Sequence, residues 1–307
     1  MKKCAENSSD KEKRLLDELA ARLEVAKDNK ERFDLADRLC GAGDPRGLDV
    51  LWSFYEEYDI YVVEKLVWFI MWCSDEVFEK CVDKVFGWFM EALKNDCSKV
   101  REEAVNGLCE IAMRCSRYRD KVLEILNKIA LKDSWCGVRA AALECIVAIK
   151  YGWDKVSEVK AQIFKLRGRR DVSSLLKFLD SDEPYFRRVA AWRLYRLCED
   201  VDKNLCKRLL RLVNDKYPCL RLIGLRAYWL YFGEETKDVL MKLVCDENPE
   251  VRVEAARYLL ELARKGVLSR EEIEFIEGKL CEILFGDVDE NIEDDAEDLL
   301  DELRDFL

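Results

Sequence analysis

The sequence predicts an all-α chain, an α-solenoid of about eight helical hairpins forming a curved superhelix. Three observations carry this. One turn-and-helix pattern recurs along the chain. No stretch of any length alternates apolar and polar residues at the strand period. The four prolines, Pro45, Pro184, Pro218 and Pro249, all fall at turns between those helices.

The recurring pattern is clearest from Asp246 to Leu262. Asp246, Asn248 and Pro249 form a turn, because proline cannot continue a helix and Asp or Asn readily caps a new one. Val251 and Arg252 open the helix, and Ala255, Ala256, Tyr258 and Leu259 follow at spacings of three and four, which share a face. With Arg252 as position zero, Arg101, Arg139, Arg187 and Arg221 fit the same register, and Arg32, Glu64 and Glu293 fit less closely. Three residues on stands Leu35, Val67, Ala104, Ala142, Ala190, Gly224, Ala255 or Ala296; seven on stands Leu39, Met71, Leu108, Ile146, Leu194, Tyr228, Leu259 or Leu300. An acid precedes most anchors: Asp59, Asp96, Asp133, Asp182, Asp215, Asp246 and Asp287. Successive anchors lie 32, 37, 38, 48, 34, 31 and 41 residues apart, a period that belongs to stacked helix pairs.

The Asp-turn-Val-Arg-Ala-Ala-Leu pattern, with Gly43-Asp44-Pro45-Arg46-Gly47-Leu48 between helices, resembles the HEAT repeat family, including its bilin-lyase-like branch. The resemblance spans nearly the whole chain, so residues 1–307 read as one solenoid. Residues 1–45 form its N-terminal cap, 151–170 an inserted helix and basic loop, and 286–307 an acidic C-terminal cap. It implies that each anchor Arg reaches an Asp of an adjacent turn, holding repeats in register. It is nearly silent on activity, because function lies in sites carried by a fold and not in the fold itself.

In order, Asp10–Lys27 reads as a first helix capped by Asp10, with Leu15, Leu16, Leu19, Leu23 and Val25 inward, and Asn29–Cys40 as a second. Leu48–Trp88 is crowded with aromatics. These read mainly as core, with an apolar groove for a partner helix as the sharper alternative and Phe69 pointing into it. Two regular repeats follow. The period then stretches to admit a helix at Asp154–Lys165 and the tip Leu166-Arg167-Gly168-Arg169-Arg170. The last helix carries 11 acids and one Arg after Gly286, yet keeps Ala296, Leu299, Leu300 and Leu303 for burial.

Charge and composition bound the function. The net charge is −11, but residues 160–226 hold 17 Lys or Arg against 8 acids. A chain without His, with one Gln, one Thr and 37% charged residues, fits a hot-growing prokaryote. The start shows no apolar signal core and no run is long enough to span a membrane, so the expected location is cytoplasmic. Fourteen Cys occur without any Cys-x-x-Cys, and without His no mixed metal site is available. No metal or cofactor is expected. Cys97, Cys136 and Cys219 recur in turns, where a bridge such as Cys97 to Cys136 is one outcome.

HEAT-like arrays usually line their concave side with the second helix of each pair, which the anchors mark. Positions five and nine after the anchor then give Trp192, Arg196, Arg226 and Leu230, with Arg257 in the next repeat and Arg188 one turn before Trp192. The first reading is a non-catalytic scaffold holding a protein partner there. The alternative is a nucleic-acid binder using the zone 160–226, with Arg167, Arg169, Arg170, Arg188 and Arg226 on phosphates and Trp192 under a base. That set loosely resembles the HEAT-like alkylpurine DNA glycosylases, but no acid falls on the same face. The chain carries no phosphate loop and no Ser/His/Asp set, so it does not read as an enzyme.

Overall fold

The computed structural model describes residues 2–165, 172–200, 203–286 and 288–307, and among these it contains helices and turns but no strand. No helix among them is long and apolar enough to cross a membrane. The chain divides into two compact units, the first comprising Met1–Asn95 with Lys99–Val122 and the second Leu123–Leu307 with Asp96–Ser98.

The first unit begins with α1 (Lys2–Val25) and α2 (Asn29–Gly41). Asp10 therefore lies inside a longer helix and does not open one. Asp28 caps α2, its carboxylate accepting from the Glu31 N–H at 2.9 Å. Gly43 takes φ 74°, and its chain bends into α3 (Leu48–Trp52) and α4 (Tyr55–Trp72). Ser74 caps α5 (Asp75–Ala92); α6 (Ser98–Arg114) follows, and α7 (Ser116–Lys132) crosses the unit boundary. Trp52 stacks on Tyr55 and Trp88, and Phe33 packs on Phe54, Tyr58 and Tyr61, so many of the aromatics fill the space between helices.

Helix α4 departs from the expected register. Its buried residues are Val62, Val63, Leu66, Val67, Phe69 and Ile70, one position earlier than an anchor at Glu64 requires. Val63 therefore holds the zero position, Leu66 and Ile70 fill the inward columns, and Met71 is exposed. Non-helical backbone at Tyr58 (φ −138°, ψ 45°) accompanies the slip.

The second unit continues with α8 (Cys136–Tyr151), α9 (Trp153–Lys165), α10 (Val172–Leu179) and α11 (Pro184–Asp200). It ends with α12 (Pro218–Phe232), α13 (Lys237–Leu243), α14 (Pro249–Arg264), α15 (Arg270–Leu284) and α16 (Glu290–Arg304). Each proline after Pro45 is the first residue of its helix, where a missing N–H costs nothing. The extra helix α9 buries Val156, Val159 and Ile163 and packs on α8 and α11, so it belongs to the core of this unit. Between α11 and α12 the chain runs through two 3-10 segments, Lys203–Arg208 and Leu210–Asn214.

The repeat columns are visible in detail. Ala104, Ala142, Ala190, Ala255 and Ala296 are buried. At Gly224 an added Cβ would stand 2.5 Å from the Val213 nitrogen, so the helix lies directly on the backbone of the second 3-10 segment. The acids Asp133, Asp215 and Asp246 each accept from the backbone N–H two residues on, which forms the turn. The arginines clamp that same turn: Arg139, Arg187 and Arg221 each donate to the carbonyls six and five residues behind them. Arg221 also grips Asp246 of the next turn at 2.6 and 2.8 Å, and Arg187 approaches Asp215 at 3.7 Å. Arg139 breaks the sequence of neighbours. Its partner is Glu250, 111 residues away.

Candidate functional site

That long-range contact closes one end of a pocket on the second unit. Helix α12 presents Cys219, Leu222, Ile223 and Arg226 at helical spacing, which makes one wall. Helix α11 supplies Arg188 and Trp192, one turn apart. The first turns of α8 and α14 close the end with Cys136 and Glu250. The pocket is half open to solvent, with a volume of about 180 Å3.

Its charged groups are nearly all engaged. Arg139, fully buried behind the pocket, donates to Glu250 at 2.5 Å and to the carbonyls of Asp133 and Ser134 at 2.7 and 2.6 Å. The Asn248 amide reaches the Asp133 carbonyl at 3.2 Å and ties the same two turns together. Arg226 donates to Glu254 at 2.8 Å, which also accepts from the Tyr258 hydroxyl at 3.2 Å. Burial opposes the charge on Arg226, but its Glu254 partner outweighs this and holds the guanidinium more firmly protonated. Arg188 is the exception: among the described residues it is the lining cation with no carboxylate on it. Trp192 beside it is 41% exposed and stacks on Tyr195, with ring centroids 5.9 Å apart.

The two thiols are poorly suited to reaction. Burial, then the nearby Glu250 carboxylate, pushes Cys136 up to about 12. Burial likewise raises Cys219. A protonated thiol is neither a strong nucleophile nor a metal ligand. Among the described residues the Cys136 thiol forms no disulfide, so the bridge from Cys97 to Cys136 is not formed. No cluster of Cys, Asp and Glu among the described residues has metal-binding geometry.

Three of the residues proposed from sequence, Arg188, Trp192 and Arg226, therefore meet in one pocket. Arg196 is exposed further along α11. Arg257 lies outside the lining and pairs with Asp295 at 3.0 Å. Arg167, Arg169 and Arg170 lie outside the described residues. Phe69 is a correction: it is buried in the first unit, because the register of α4 is shifted by one. Its neighbours take the surface instead. Trp68 and Trp72 are 58% and 68% exposed and stack at 6.3 Å.

Glu250 is the acid that sequence reasoning did not place. It sits two residues before an anchor, as Cys219 does, so those two share a register position, while Cys136 sits three before its own. What was missing was the knowledge that turns 111 residues apart touch.

No family model and no curated protein matches the chain. Among solved structures it is similar to crystal structures of engineered proteins from the Northeast Structural Genomics Consortium. One is 19% identical, with 94% of this chain and 88% of that one covered and a TM-score of 0.34. A second is 17% identical over 95% and 97%, and a third 19% identical over 94% and 98%, both with a TM-score of 0.31. Likeness at this level assigns neither a family nor a function.

Proposed function

We propose that this chain is a non-catalytic scaffold of stacked helical hairpins, similar to HEAT repeats, and that its second unit holds a protein partner at the pocket of α8, α11, α12 and α14. The observation that supports this is the division of labour among the charges. Glu250 and Arg226 are fixed by internal partners, the thiols are held protonated, and only Arg188 and the half-exposed Trp192 are available to a visitor. A hot spot in protein recognition combines these features, an aromatic anchor and an Arg over a small desolvated pocket.

The nucleic-acid reading gains one observation, since Glu250 places a carboxylate beside Trp192, Arg188 and Arg226. It is weakened by the clamp of Arg139 on that carboxylate, and by the internal use of the basic zone. Arg187, Arg211 and Arg221 pair with Asp215, Asp180 and Asp246, and Lys160 pairs with Glu144. Cations already neutralised release few counterions on binding nucleic acid.

The test is capture from the native lysate by wild-type protein and by a folded Arg188→Glu, Trp192→Ala double variant. A partner retained by the first and lost by the second is the expected result. Equal capture by both overturns the assignment. DNA and RNA gel shifts at several salt concentrations decide the alternative, which requires salt-sensitive binding that the same double variant abolishes.

A further inference from the structure

The pocket's size and charge narrow what it accepts. A cavity of about 150 Å3 holds one benzene ring when its walls are apolar. At about 180 Å3, with Trp192, Leu222 and Ile223 as apolar surface, this half-open pocket has room for one six-membered ring. Trp192, itself stacked on Tyr195, offers that ring an aromatic surface.

The charge is equally specific. Arg139 and Arg226 are matched by Glu250 and Glu254, which leaves the single excess charge of Arg188. One anion balances it. A polyanion would set its further charges against Glu250 and Glu254. A guanidinium matches a planar carboxylate through paired hydrogen bonds. Arg188 and Trp192 are one helical turn apart on the same face, so ring and anion must lie close together on the ligand. In an extended peptide, neighbouring side chains point to opposite sides, so an acid next to an aromatic residue would diverge from it. A chain-terminal aromatic residue carries both groups on one Cα.

We propose that this pocket binds the C-terminal aromatic residue of a partner chain, with its ring against Trp192 and its terminal carboxylate on Arg188. This rests on the protein-partner reading above and specifies the partner's recognised end.

The experiment titrates full-length protein with acetyl-Gly-Ser-Gly-Ser-Phe by calorimetry. The same peptide as its C-terminal amide, acetyl-Gly-Asp-Phe-Gly-Ser amide and thymidine monophosphate are run alongside. The free acid is expected to bind saturably, and amidation to weaken it by about tenfold or more, the scale of a lost charge-assisted pair. Arg188→Gln should abolish the difference between acid and amide, and Arg188→Lys should restore part of it, with circular dichroism confirming both folds. Equal binding of acid and amide overturns the proposal, as does an internal Asp-Phe peptide that matches the free acid. Tighter binding of the nucleotide overturns it in favour of a nucleic-acid ligand. If the peptides fail while lysate capture still depends on Trp192, the terminal-carboxylate inference falls and the protein-partner reading stands. If that capture also fails, both fall.

Discussion

Removing Glu250 should destabilise the second unit far more than removing an ordinary surface acid. Arg139 has no exposed surface, and its three partners are two backbone carbonyls and Glu250 Oε2. In Glu250→Ala the guanidinium stays buried and loses its only paired anion. Breaking one side of a buried ion pair costs about 3–5 kcal/mol. For a unit of this size each kcal/mol lowers Tm by roughly 2–4 °C, which gives a fall of roughly 6–20 °C. The control is Glu247→Ala. Its carboxylate is 79% exposed and 3.4 Å from Arg221, and such a pair contributes about 0–1 kcal/mol. Urea unfolding followed by circular dichroism gives the free energies. Pairing Glu250→Leu with Arg139→Met should recover most of the loss, because an apolar replacement removes both charges together. A Glu250→Ala variant within about 1 kcal/mol of wild type would refute the argument, as would a double variant no more stable than the single one.

Other outcomes follow from the same geometry. Gly224→Ala should cost about 1–3 kcal/mol in urea unfolding, because its Cβ would meet the Val213 nitrogen and Leu212 carbon, and backbone must move to admit it. Glu103→Gln should stabilise the protein at neutral pH. Burial, followed by repulsion from Glu64 and Glu102, raises the Glu103 carboxyl, so its ionised form is a burden on the folded state above that raised pKa. The burden is lifted as pH falls through the raised value, and the advantage of Gln over Glu should disappear in acid; melting curves across pH 3–7 check this. Brief iodoacetamide treatment at pH 8 should label exposed Cys245 and spare Cys136, whose thiol remains protonated there, with the sites read by peptide mass spectrometry.

How far the sequence discloses the structure depends on the range of the interaction. Local signals read well. Asn248 caps α14, its side chain accepting from the Val251 N–H, as the turn before Pro249 predicts, and the small residues of the repeat column are buried. With no Arg to mark it, the anchor of α4 reads as Glu64 although Val63 holds the zero position, and that single step exchanges buried Phe69 for exposed Trp68. Arg188, Trp192 and Arg226 could be grouped because they share one helix or occupy equal positions in successive repeats. Glu250 could not, since it enters from the first turn of α14 and is held there by Arg139, 111 residues away.

The bond from Arg139 to Glu250 has a bearing on how such a chain can change its length. Where units touch only their immediate neighbours, one can be deleted or duplicated and the ends rejoin. Here the segment from α9 to α13 is enclosed by a tie between its two flanks. Excising or doubling a helix within it would move those flanks out of reach, so this part of the protein is expected to evolve by substitution and not by gain or loss of whole helices.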